Sequence, residues 1–164
     1  MDAIVAVYTD WGIGRDGTQP LVVPEDRQHF RALTGSSTVI VGRRTLADFP
    51  GGKPLKGRRS IVLTRQDLHI PGAEIAGSVA EALALTKEEP SVFVIGGARV
   101  YRAMLPHIAR VYVTKIQARP VSDAFFPNLD EDATWRITDR SGIREQDGLR
   151  YEFLTYERNN LCWK

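Results

Sequence analysis

Along the first two thirds of the chain, apolar runs of strand length alternate with segments whose apolar residues recur at helical spacing. Residues 4–8, 38–41, 61–63 and 92–95 are continuous apolar runs, as expected of strands covered on both faces. Residues 24–33 and 79–85 carry helical periodicity, and Val100, Tyr101, Met104 and Leu105 share one face of a further helix. This alternation predicts a mostly parallel, twisted central sheet with helices on both faces. Nearer the C-terminus, residues 111–116, 135–138 and 151–156 read as strands with no long helix between them. They predict an antiparallel C-terminal edge, with Asp147-Gly148 turning a hairpin between the final two strands. With no repeat, low-complexity tract or linker, residues 1–164 are expected to form a single α/β domain.

Composition narrows this picture without redirecting it. A chain of 164 residues, 43% hydrophobic and 26% charged, is ordinary for a globular protein with a real core. A formal charge of +2 offers no reason to expect polyanion binding over the whole surface, so no nucleic-acid partner is expected. Cys162 is the only cysteine, which excludes an internal disulfide and any cysteine-rich metal site; no metal is expected, and a reducing compartment is. The start Met1-Asp2 is acidic and the apolar run after it is too short for a signal-peptide core or a membrane span, so the expectation is a cytoplasmic protein.

Chemistry first appears at the start of the predicted helix over 24–33. Pro24 suits a first helical turn, because its missing N–H would have no partner there. Glu25 and Asp26 then meet the positive end of the helix dipole, a stabilising placement that needs no further role. Asp26 departs from that ordinary case: Phe30 and Leu33 stand four and seven residues on, so its carboxylate shares the buried face, which Glu25 does not. Apolar walls disfavour the charged form and raise the pKa, producing a group able to hold or relay a proton near neutrality. Upstream, Trp11-Gly12-Ile13-Gly14-Arg15-Asp16-Gly17 has three glycines and few apolar anchors, and reads as a plain connection or as a lid over the reacting atoms.

Two turns have the form strand, glycine, helix start. Val92-Phe93-Val94-Ile95-Gly96-Gly97-Ala98-Arg99-Val100-Tyr101 lets main-chain N–H groups approach a phosphate closely, although tight packing alone would also account for two glycines. Val39-Ile40-Val41-Gly42-Arg43-Arg44-Thr45 repeats the design with two arginines. Adjacent arginines are more often plain solvated surface, but after a glycine turn they suit a pyrophosphate and an extra ribose phosphate, favouring NADP over NAD. Lys56-Gly57-Arg58-Arg59 is a basic turn that would receive a carboxylate if it lies near the first helix. Leu63-Thr64-Arg65 ends its strand with a hydroxyl and a cation, suited to a phosphate or to solvent.

Taken together, the first strand, the Gly-Ile-Gly loop, Pro24-Glu25-Asp26 with Phe30, the Val41 to Thr45 turn, Ile95-Gly96-Gly97 and Phe126-Pro127 resemble the dihydrofolate reductase family from end to end. The resemblance implies reduction of 7,8-dihydrofolate by NADPH, a part in one-carbon metabolism, antifolate inhibitors as further small-molecule ligands, and a monomer. It implies that Asp26 hydrogen-bonds the pterin and supports protonation at N5, with Thr114 behind it and Leu21 and Tyr101 near the reacting atoms. Ile4, Val5, Arg27, Phe30, Phe49, Leu55 and Ile95 would line the folate pocket, and Arg58 would pair with the glutamate tail. Ala6, Ile13, Gly14, Ile95 and Tyr101 would meet the nicotinamide side. Gly42, Arg43, Arg44, Thr45, Leu63, Thr64, Arg65, Gly96, Gly97, Ala98, Arg99 and Val100 would hold the rest of the cofactor. Two positions depart from the family: Leu21 stands where many members have tryptophan, and Arg27 where an apolar residue usually follows the aspartate. A same-fold reductase of the riboflavin pathway would need neither Asp26 on a buried face nor Arg58. A non-catalytic NADP-binding protein would leave the acid–base group idle.

Overall fold

The computed structural model describes residues 1–159; Cys162 lies outside them. In chain order the strands are β1 (Asp2–Val7), β2 (Gly12–Gly14), β3 (Thr38–Gly42), β4 (Ser60–Leu63), β5 (Ala73–Ala76), β6 (Val92–Val94), β7 (Arg110–Ile116), β8 (Ala124–Phe125), β9 (Trp135–Arg140), β10 (Arg144–Gln146) and β11 (Leu149–Arg158). The α-helices are α1 (Pro24–Thr34), α2 (Arg43–Ala47), α3 (Val79–Leu85) and α4 (Ala98–Met104). The main sheet runs β10-β11-β7-β1-β6-β3-β4-β5, with β9 also on β11. Every pairing from β7 to β5 is parallel, and β11 is antiparallel to β7. This is the mostly parallel sheet with an antiparallel C-terminal edge that the hydrophobic pattern predicts.

Alternation along the strands divides the core. Ala3, Val5, Val7, Ile40, Ile61 and Val94 join Ala82 of α3 and Val100, Tyr101 and Met104 of α4 in one cluster. Ile4, Val39, Val41, Val62 and Phe93 join Leu46 of α2 and the partly buried Phe30 and Leu33 of α1 in another. Successive side chains of a strand point to opposite faces, so each continuous apolar run feeds both layers.

The C-terminal edge corrects the expected hairpin. Asp147 (φ 53°) and Gly148 (φ 80°) do form a tight turn, but it joins β11 to β10, not to β9. β9 pairs with the far half of β11, through Leu154↔Arg140 to Arg158↔Trp135. The residues of β10, Arg-Glu-Gln, contain no apolar side chain, so a hydrophobic pattern cannot register them. β5, with Ala-Glu-Ile-Ala, is similarly weak in pattern, and its Glu74 is held by Arg59 at 2.5 Å.

Candidate active site

The parallel strands end at a cleft of about 1280 Å³. That exceeds the roughly 300–1,000 Å³ of a pocket for one small ligand, leaving room for two. Its centre is a gap in the sheet. β1 pairs with β6 only through Asp2↔Phe93 and Ala3↔Val94, whereas its pairing with β7 continues to Val7↔Lys115. Beyond Ala3 the β6 side of β1 is therefore open, and side chains bond its main chain instead. The Tyr101 hydroxyl donates to the Ile4 carbonyl at 2.6 Å, and Gln19 Nε2 donates to the Ala6 carbonyl at 3.0 Å. Burial, and secondarily the charge of Asp26, push the Tyr101 phenol well above its ordinary pKa, so it remains a donor.

Asp26 stands half-buried at the cleft wall, in the first turn of α1. Thr114 of β7, 1% exposed, donates its hydroxyl to Asp26 Oδ1 at 2.5 Å. Burial raises the carboxyl above its ordinary pKa; the Thr114 hydroxyl opposes this most, followed by the charges of His29 and Arg27. The helix start is held by the C-terminal hairpin: Glu25 N–H donates to Gln146 Oε1 at 2.9 Å, and the Tyr151 hydroxyl donates to Glu25 Oε1 at 2.8 Å. Arg144 pairs with Glu25 at 3.3 Å, and His29 stacks on Phe153 with ring centroids 4.1 Å apart. Glu25 thus works away from the cleft, as the helix-face argument requires.

A raised carboxyl pKa has a stability consequence. Between the ordinary Asp value and Asp26's own raised value the native state holds a proton that the unfolded state has released, so stability falls as pH rises through that window. Asp26→Asn retains the size and an acceptor for Thr114 but never carries the charge. It is expected to melt above the wild type near pH 7, with the gain shrinking below about pH 4. Melting curves at both pH values check this, and equal midpoints at neutrality would contradict it.

The glycine turns meet each other. Gly42 N–H donates to the Gly96 carbonyl at 2.7 Å, and a β-carbon on Gly97 would stand 2.9 Å from Thr45 Oγ1. Gly96 has φ 124°, and a β-carbon there would press on the Tyr101 ring at 3.4 Å. Gly42, Arg43, Arg44, Thr45, Leu63, Thr64, Gly96, Gly97, Ala98, Arg99 and Val100 all line this end of the cleft. α2 has five residues and α4 seven, so attraction for phosphate rests on the arginines more than on long helix dipoles. Arg65 is the exception: it is exposed and off the wall, where Gln66 follows Thr64 instead, its N–H on Thr64 Oγ1 at 3.2 Å. Arg102, one turn along α4 from Arg99, also lines the cleft; its spacing was the available signal.

At the other end, Ile4, Val5, Phe30, Phe49, Leu55 and Ile95 form apolar walls. Arg58 lies at this end with Nε donating to Thr34 Oγ1 and Nη1 to the Lys56 carbonyl, both at 3.0 Å, and its guanidinium 5.9 Å from the Phe30 ring centre. Arg27 is both exposed and on the cleft wall, and Arg31, one turn on, joins it there. Leu21 is a correction. Its main chain is pinned in both directions by the Tyr8 hydroxyl, at 2.7 and 3.0 Å, and its side chain packs with the cluster of Ala6, Tyr8 and Tyr151. Val22, the next residue, lines the cleft instead.

The glycine loop is better anchored than its composition suggests. Trp11, 4% exposed, stacks with Phe126 and meets Tyr156 edge-on, and β2 pairs with β8. Ile13 and Gly14 reach the cleft from that paired segment. Only the tip projects: Arg15 and Thr18 exchange main-chain bonds around Asp16 (φ 53°) and Gly17 (φ 83°), and Asp16 N–H donates to Asp123 Oδ2 at 3.0 Å. Asp123 lies 107 residues away, a partner that no local pattern indicates.

The family model for dihydrofolate reductase matches residues 1–158. The chain is 42% identical over 161 residues to the dihydrofolate reductase of Mycobacterium tuberculosis H37Rv, covering 95% of this chain and 96% of that one. It is 33% identical over 150 residues to that of Bacillus subtilis 168, with 90% and 88% covered. Among solved structures, dihydrofolate reductase from Enterococcus faecalis complexed with NADP(H) and RAB-propyl superposes with a TM-score of 0.87 at 31% identity, covering 97% of this chain and 96% of that one.

Proposed function

The chain belongs to the dihydrofolate reductase family and reduces 7,8-dihydrofolate to tetrahydrofolate with NADPH, and we propose that Asp26 is its essential acid–base carboxylate. The observation that carries this is the placement of one half-buried carboxyl, raised in pKa and oriented by Thr114, on the wall of the cleft that the open stretch of β1 also lines. NADPH, when bound, supplies the hydride. The residues present fit that cofactor: Gly96 and Gly97 admit close backbone approach, and Arg43, Arg44 and Thr45 stand beside them for its phosphates.

Asp26 accepts hydrogen bonds from the pterin ring and favours a proton at N5 through water, while Thr114 fixes the carboxylate in one orientation. Tyr101 closes the Ile4 carbonyl and fills the floor of the gap. Ile4, Val5, Phe30, Phe49, Leu55 and Ile95 exclude water around the reacting atoms, where weaker screening strengthens every charge. Arg58, preset by Thr34 and Lys56, receives the carboxylate of the glutamate tail, with Arg27 at the same mouth. The protein is a binder of small molecules, dihydrofolate and antifolates, read as a cytoplasmic monomer of one domain. Among the described residues no helix is long and apolar enough to cross a membrane.

An NADPH oxidation assay with dihydrofolate, run beside the riboflavin-pathway intermediate, tests the reaction. Oxidation is expected with dihydrofolate alone; none with dihydrofolate would overturn it.

A further inference from the structure

We propose that His29 is a positioning residue for the reaction, a second proton site behind Asp26 whose charge decides how firmly Asp26 keeps its own. This rests on the reading of Asp26 above and adds a residue which that reading does not use. His29 is half-buried and off the cleft wall, so it acts through a neighbour. It stands three residues after Asp26 and four after Glu25 on α1, spacings that bring side chains roughly 5–6 Å apart at Cβ. Its ring stacks on Phe153 of β11, with centroids 4.1 Å apart. Phe153 is in turn the register partner of Thr114, whose hydroxyl donates to Asp26. Side chains directly opposite in an antiparallel pair share one face, so Phe153 and Thr114 stand side by side beneath α1. Asp26, Thr114, Phe153 and His29 thus close a ring across one helix and two strands, with the imidazole and the carboxyl at neighbouring corners.

The charged groups around His29 come from each element packed on it. α1 supplies Asp26 and Glu25, β10 supplies Arg144, and β11 supplies Tyr151, whose phenol donates to Glu25 at 2.8 Å. Arg144 pairs with Glu25 at 3.3 Å and lies 5.8 Å from the centre of the Phe153 ring. Glu25 is therefore answered by a cation and a phenol, which leaves Asp26 as the carboxyl to pair with an imidazolium. Burial lowers the pKa of His29 and raises that of Asp26, while each favours the charged form of the other. The two titrations are drawn together and coupled. A proton on His29 keeps Asp26 negative, and a proton on Asp26 loosens the one on His29. The carboxylate accordingly stays charged further into acid than its burial alone would allow.

The test is NMR titration of the Asp26 carboxyl and the His29 imidazole in wild type, His29→Phe, His29→Gln and Asp26→Asn. Phenylalanine keeps the stack on Phe153 and glutamine keeps a polar side chain, but neither carries charge. In both, Asp26 should titrate about 0.3–1 pH unit higher, the effect of one well-screened charge a helical turn away. Linkage is reciprocal, so Asp26→Asn should lower the His29 midpoint by the same amount. The carboxyl midpoint in the pH profile of kcat/KM, which reports the free enzyme, should rise in His29→Phe as well. A packing role for His29 would move none of these midpoints. An Asp26 midpoint unmoved in either His29 variant overturns the proposal, as does a His29 midpoint unmoved in Asp26→Asn. Undiminished hydride transfer by Asp26→Asn would bring down the Asp26 reading and this proposal together; diminished transfer with the midpoints unmoved removes His29 alone.

Discussion

Asp26→Asn is expected to lower turnover of dihydrofolate roughly 10²- to 10⁴-fold at neutral pH while leaving NADPH affinity intact. The variant removes one property. Asparagine fits the space, accepts from Thr114 as the carboxylate does at 2.5 Å, and spares the stacking of His29 on Phe153 and the Glu25 contacts that set the helix start. It cannot carry the negative charge that favours a proton on the pterin. Acid should rescue the variant more than the wild type, because lower pH supplies by mass action the proton that the carboxylate favours at neutrality. Single-turnover hydride transfer across the pH range, with NADPH affinity measured separately, decides the matter. Undiminished transfer near pH 7 would remove Asp26 from the chemistry and leave it a helix-start residue.

Arg44→Ala is expected to weaken NADPH by roughly 10- to 100-fold and NADH by much less, since a charge-assisted bond to phosphate is worth ~1.5–3 kcal/mol and only NADPH carries the extra phosphate. Arg44 is exposed at the start of α2 and makes no ion pair among the described residues. Its removal should therefore leave the fold alone. Parallel titrations with the two cofactors supply the check, and equal losses would assign the extra phosphate to other residues, Arg43 or Gln66 among them.

The strands and helices that build the cleft were legible because their apolar runs are long and their periods distinct. β1, β3, β4 and β6 all fall within a residue or two of the expected bounds, and α3 matches at both ends. What escaped was polar or short: β10 has no apolar side chain, β5 is four residues with Ile75 its one large apolar side chain, and β2 with β8 are paired segments of three and two residues. The same limit governed the site. Gly42, Gly96 and Gly97 announce themselves by following strands, whereas Gln19, Gln66 and Val22 are ordinary residues made cleft-lining by the path of their neighbours. Leu21, expected near the reacting atoms, stands off the cleft wall, where Tyr8, thirteen positions earlier, pins its main chain.

By itself the sequence determined the alternating α/β order, the apolar faces, the two glycine turns and the position of Asp26 on the buried stripe of α1, since each follows from local spacing. The tertiary structure alone decided that β1 parts from β6 after Ala3, that Thr114, 88 residues on, meets Asp26, that Asp16 rests on Asp123, and that Gln19 holds the Ala6 carbonyl. Those pairings depend on where strands from distant parts of the chain come into register. Such register is settled by burying two apolar layers at once, and no local window of the chain contains it.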